Sequence, residues 1–75
     1  MTIHATVTID GATWAGTLLP LESVTVTRGG VELPGVTWDR QRLRGREQDG
    51  AGLRALTVAL REAIREDEER LRRMA

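Results

Sequence analysis

Arginine stands at every second position from 40 to 46 in the stretch Asp39-Arg40-Gln41-Arg42-Leu43-Arg44-Gly45-Arg46-Glu47. In an extended chain, residues two apart project from one side, about 6.6–7 Å from one another. That is close to the spacing of phosphates along a nucleic-acid strand. A helix would split the four arginines between opposite faces, and Gly45 disfavours a helix. Arg40, Arg42, Arg44 and Arg46 therefore form a candidate comb for backbone phosphates or for an acidic protein partner. The competing reading is that arginines in a polar connector are solvated, or reach Glu47, Asp49 and the acids of a following helix.

Other reactive groups are sparse. His4 is the single histidine and Ser23 the single serine, and neither has a neighbour in sequence to orient or activate it. With neither cysteine nor lysine there is no thiolate nucleophile and no Schiff-base amine. Glu66-Asp67-Glu68-Glu69 is a run of acids, but on a helix it is splayed around the circumference, unlike the alternating ligands of a calcium loop. Gly50 and Gly52 lack phosphate-loop spacing. The expectation is a non-enzymatic protein with no cofactor, no metal and no small-molecule substrate.

Seventy-five residues make one domain. So short a chain buries only roughly 60–65% of its surface, which leaves a monomer marginal. Without cysteine, disulfides and thiolate metal sites cannot supply the shortfall, so self-association is the expected remedy. The formal charge is zero but segregated. Residues 1–39 carry Arg28 against Asp10, Glu22, Glu32 and Asp39, a net −3, and residues 40–75 carry ten arginines against seven acids, a net +3. Such a balance argues against gross capture by nucleic acid and leaves room for a local patch. No apolar run is long enough for a membrane span, and the N-terminus has no basic segment leading into an apolar one. The expectation is a cytoplasmic protein without a membrane partner.

The elements that would position the arginines follow from patterning. Eight of nine threonines and five of six valines precede residue 39, a strand composition. Ile3, Ala5, Val7 and Ile9 alternate with His4, Thr6 and Thr8, and Asp10-Gly11 suits a two-residue turn with positive φ at both positions. Pairing Ile9 with Ala12 then sets Val7 opposite Trp14, Ala5 opposite Gly16 and Ile3 opposite Leu18. It also sets Thr8 against Thr13 and His4 against Thr17. A second hairpin turns at Gly29-Gly30, with Thr27 opposite Glu32 and Val26 opposite Leu33. A bulge at Pro34-Gly35 would restore the phase, facing Val24 with Val36 and bringing Trp38 into the core. Pro34 places that strand at a sheet edge. Trp14 and Trp38, the only aromatic residues, are expected to be core. Trp38 shares parity with the arginines, so either the strand stops at Asp39 or Trp38 is exposed beside them; the hairpin register favours the stop.

Residues 40–50 read as a polar, glycine-broken connector. From Ala51 the apolar residues Leu53, Leu56, Leu60, Ile64, Leu71 and Met74 fall at helical spacing, with Asp49 as the expected N-cap and no Pro or Gly across 53–75. Glu66–Arg70, Glu68–Arg72 and Glu69–Arg73 are i,i+4 pairs in the favourable order. Such a helix outruns a seven-residue strand by more than about 10 Å. Its far end is either a solvated overhang or a surface where Leu60, Ile64, Leu71 and Met74 meet a second copy.

The segment Val7–Gly30 resembles the opening of phage tail and minor tail proteins, through Ile9, Asp10, Gly11, Gly16, Leu18, Ser23, Val24, Val26, Arg28 and Gly29. It covers about a third of the chain. Members of that family are far longer and continue as β structure, whereas this chain turns to helix. What the resemblance implies is a virion-associated or prophage-derived structural or accessory module that docks to protein.

The expected fold is α+β within a single domain, 1–75: a four-stranded, mainly antiparallel sheet of two hairpins over 1–39, the arginine-rich connector over 40–50, and one long C-terminal helix over 51–75. The expected function is a protein–protein interaction module, self-associating as a homodimer or docking to another protein. The alternative is a small nucleic-acid-binding regulator or accessory factor that uses the arginine comb.

Overall fold

The computed structural model describes residues 2–74. Its element order is β1 (Ile3–Ile9), β2 (Ala12–Leu18), β3 (Val24–Arg28), β4 (Val31–Glu32), β5 (Thr37–Asp39), β6 (Arg42–Arg44) and α1 (Gly50–Met74). Strands β1 to β4 form one antiparallel sheet in sequence order, β5 and β6 form a separate ribbon, and one long helix completes an α+β fold.

The first hairpin has the expected register throughout, from Ile9 with Ala12 to Ile3 with Leu18. Asp10 (φ 50°) and Gly11 (φ 79°) supply the two positive-φ positions of its turn. Strand β2 is central, paired to β1 on one side and to β3 on the other. Its inward residues Trp14 and Gly16 are buried, and Arg28, the cross-strand partner of Trp14, sets its guanidinium 5.5 Å from the centre of the indole. The β2–β3 connection closes through the Leu19 N–H, which donates to the Ser23 carbonyl at 2.8 Å.

The second hairpin turns at Gly29-Gly30 (φ 59° and 84°), pairing Thr27 with Glu32 as expected. The Leu33 N–H donates to the Val26 carbonyl at 2.9 Å, and there the ladder ends. The expected bulge, with Val24 facing Val36, does not form. Pro34 has no N–H to offer the ladder, and Gly35 at φ 73° turns the chain out of the sheet. Thr37–Asp39 then pairs with Arg42–Arg44 in a third hairpin, Trp38 opposite Leu43. The supposed connector is therefore part strand. The strand carrying Trp38 does stop at Asp39, as expected, although the bulged hairpin register that favoured the stop is absent. Reversal at Arg40 (φ 52°) and Gln41 (φ 64°) turns Leu43 inward beside Trp38 and leaves Arg42 and Arg44 outside.

The helix begins at Gly50, continuous with a 3-10 turn at Glu47–Asp49. Asp49 is thus inside the helical run and does not cap it. The cap position of the 3-10 turn falls to Arg46, whose carbonyl accepts the Asp49 N–H at 3.0 Å. Helical dihedrals reach back past the glycine because Gly50 itself sits at φ −56°, ψ −42°. Ala75, assigned to the helix from the sequence, lies outside the described residues.

The core is Trp14, Val26, Trp38, Leu43, Leu53, Leu56 and Leu60. Both indoles are inside, at 6% and 8% exposure. Glycines permit close approach between α1 and the main sheet at two places. Gly16 lies under Leu56 and Leu60, where a Cβ would come to 3.0 Å of Leu56 Cδ2, and Gly52 lies against the Trp14 ring. Along α1 the apolar face ends early. Asp67, in the seam between Ile64 and Leu71, is buried and ion-paired with Arg70. Arg70 therefore serves Asp67, not the expected Glu66, because a carboxylate shielded from water gains more from a partner than an exposed one.

Thr57 joins helix to ribbon. Its hydroxyl accepts the Leu43 N–H at 3.0 Å and donates to the Leu53 carbonyl at 2.7 Å, all within the interior. Thr57→Val keeps the shape but strands a buried N–H, so it should lower stability by about 1–3 kcal/mol. The measurement is urea denaturation followed by tryptophan fluorescence.

Candidate functional site

Strand β6 exists because Leu43 has somewhere to go: it pairs with Trp38 and packs beneath Thr57, and burying it orients its neighbours outward. Arg42 and Arg44 are both exposed, on one face and two residues apart. Beyond them Gly45 brings the chain hard against α1, where a Cβ would approach Leu53 Cδ1 to 2.8 Å. Arg46 follows in extended conformation (φ −66°, ψ 146°).

A groove of ≈ 680 Å³ runs between β6 and the first half of α1. Arg42, Arg44 and Arg46 line one wall; Arg54 and Arg61 line the other, with Val58 between them. Spacings of four and three residues put Arg54, Val58 and Arg61 on one helix stripe, flanking Leu53 and Thr57, which line the same groove. Glu47 is the only acid in this lining. A second shallow concavity of ≈ 410 Å³, lined by Gln41, Arg61, Ile64, Arg65 and Glu68, shares Arg61 with the first and carries the positive surface further along the helix.

The comb is thus only partly as expected. Arg40 sits in the β5–β6 turn and does not line the groove, so three of the four arginines face together. Arg54 and Arg61 were missed from sequence. The signal was present in their stripe with Val58, which reads equally well as an ordinary solvated helix face. Among the described residues the ion pairs are Arg44–Asp39, 3.4 Å between Nε and Oδ2, and Arg70–Asp67. Within the groove lining only Arg44 has such a partner. Its pair is half-exposed and is worth at most about 1 kcal/mol. Among the described residues no ion pair joins the groove arginines to the helix acids, and Arg42 and Arg44 are exposed to solvent.

The other candidate residues lie apart. Leu60 has no exposed surface and is consumed by the protein's own core, so it offers nothing to a second copy. Ile64 is half-buried against that core, whereas Leu71 and Met74 are 48% and 77% exposed. His4 is exposed, its Nδ1 3.1 Å from Thr17 Oγ1 across the ladder. Among the described residues no three acids or histidines converge to hold a metal ion, and no helix is long and apolar enough to cross a membrane.

Set against family models, curated proteins and solved structures, the chain matches none.

Proposed function

We propose that the protein is a non-enzymatic binding module whose groove between β6 and α1 lies along the phosphate backbone of nucleic acid. The observation that carries this reading is the convergence of Arg42, Arg44, Arg46, Arg54 and Arg61 on one groove of a protein with no net charge. Guanidinium groups in fixed walls can each take a phosphate by paired N–H donors. The strand supplies a repeat of about 6.6–7 Å along the backbone direction. No base-reading element accompanies it, so binding would be governed by phosphates and indifferent to sequence.

Such binding releases counterions. The affinity for random duplex should fall with salt at a log–log slope of about −0.9 per phosphate neutralised. Arg54→Ala with Arg61→Ala should flatten that slope by about 2 and weaken binding at low salt. Anisotropy of a labelled duplex between about 50 and 200 mM salt measures both. Binding that ignores salt, or a slope unchanged in the double variant, rules the reading out.

Docking to a protein partner is the second reading, favoured by the exposure of Leu71 and Met74 at the end of α1. A virion or prophage setting, which the resemblance of the opening strands implies, suits either kind of docking. Leu71→Asp with Met74→Asp should leave duplex binding intact under the first reading and abolish partner capture under the second.

A further inference from the structure

The two edges of the four-stranded sheet are built differently. Edge strand β4 has two residues, meets Pro34 after only Leu33, and carries Glu32. Short length, proline and charge are the usual protections of an open edge. Edge strand β1 has seven residues, Ile-His-Ala-Thr-Val-Thr-Ile, with no proline, bulge or acidic or basic side chain apart from His4. Among the described residues nothing pairs with its outer side.

The direction of its free hydrogen-bonding groups follows from β2. Gly29 N–H donates to the Thr13 carbonyl at 2.9 Å, so that carbonyl points toward β3 and away from β1. Thr8, opposite Thr13, is then in a non-hydrogen-bonded pair, and its own N–H and C=O point outward. By the two-residue period, those of Thr6 and His4 do the same. The inward residues Ile3, Ala5, Val7 and Ile9 are each only half-buried, although they pack against the core. The apolar layer is incomplete along this margin.

The geometry points to β1 as the docking edge for a second copy of this chain, added antiparallel about a two-fold axis through Thr6. The strand is close to a palindrome about that residue. His4 and Thr8 of each copy would exchange backbone hydrogen bonds, as would the two Thr6 residues on the axis. On the inward face Ile3 would meet Ile9 of the other copy, and Ala5 would meet Val7. Each contact is made twice, as an isologous interface requires. No charge of β1 opposes a like charge in this register. The result joins two four-stranded sheets into one of eight and completes the apolar layer.

Sedimentation equilibrium of the full chain from about 1 to 200 μM tests this, with dimer expected in the range of ordinary interfaces. Thr6→Pro removes an outward N–H that the hairpin does not use, and should raise the dimer Kd at least about tenfold. Should that variant lose cooperative unfolding, Thr6→Glu sets two carboxylates facing across the axis from an exposed position, with the same expected loss. A monomer throughout the range overturns the proposal. So does a dimer indifferent to Thr6→Glu, or one abolished instead by Leu71→Asp with Met74→Asp. Duplex binding by the monomeric variant reads the groove independently of this edge.

Discussion

Trp14→Ala should remove a large share of the chain's stability at room temperature. Removing a buried tryptophan costs about 3–5 kcal/mol, and a chain of this size has about 4–11 kcal/mol in all, at about 0.05–0.15 per residue. Trp14 is also where three elements meet. It pairs with Val7 of β1 and Arg28 of β3 and lies beneath Gly52 of α1. Little is near enough to collapse into the space, because β1 and β3 hold β2 by their ladders. Urea titration monitored by far-ultraviolet circular dichroism should show the midpoint fall by an amount worth about 3–5 kcal/mol. A midpoint shift worth less than about 2 kcal/mol would mean that the indole is not the centre of this core.

The second large effect has an unexpected sign. Alanine in place of a helical glycine ordinarily adds up to about 1 kcal/mol of stability. Gly52→Ala should do the reverse. Its Cβ would fall inside the van der Waals envelope of Trp14 Cε2, Cζ2 and Cη2, nearer than real Cβ atoms come. The indole is rigid and its ring cannot yield without moving β2 or lifting the first turn of α1. Overpacking of this kind costs about 1–3 kcal/mol, and the propensity gain is small so close to the helix start. A net loss of about 1–2 kcal/mol follows. The cause is separable by a double-mutant cycle. In a Trp14→Leu background the obstruction is gone, and Gly52→Ala should become neutral or stabilising. A loss of the same size in both backgrounds would refute the steric account.

How far the sequence foretells this arrangement depends on the turn in question. In the first hairpin, strict alternation in Ile3–Ile9 and an Asp-Gly pair with a single satisfactory register agree, and all seven pairings follow. In the third, the turn is Arg40-Gln41, and neither residue type advertises a positive φ. The warning lay in parity, since Trp38 and the arginines could not all share one face of a straight strand, and a reversal resolves it. The arginine groove was half visible for a related reason. Alternation reveals Arg42, Arg44 and Arg46, whereas Arg54 and Arg61 join them only because β6 runs beside α1, a tertiary fact. Leu60 shows the converse limit. Apolar residues at helical spacing do not say whether they face their own sheet or a neighbour, and the sheet takes Leu60 entirely.

With Phe and Tyr absent, nearly all near-ultraviolet light is absorbed by two side chains in different places. One reports the junction of α1 with the main sheet; the other, opposite Leu43, reports the small ribbon that carries half of the groove. Single-indole versions of the chain, with Phe replacing either tryptophan, would make each region separately observable without any attached dye. Loss of both signals at one denaturant concentration would mean that the ribbon melts with everything else. An earlier loss at Trp38 would mean that the basic wall can loosen while the rest stays intact, and that its shape can adapt to whatever it grips.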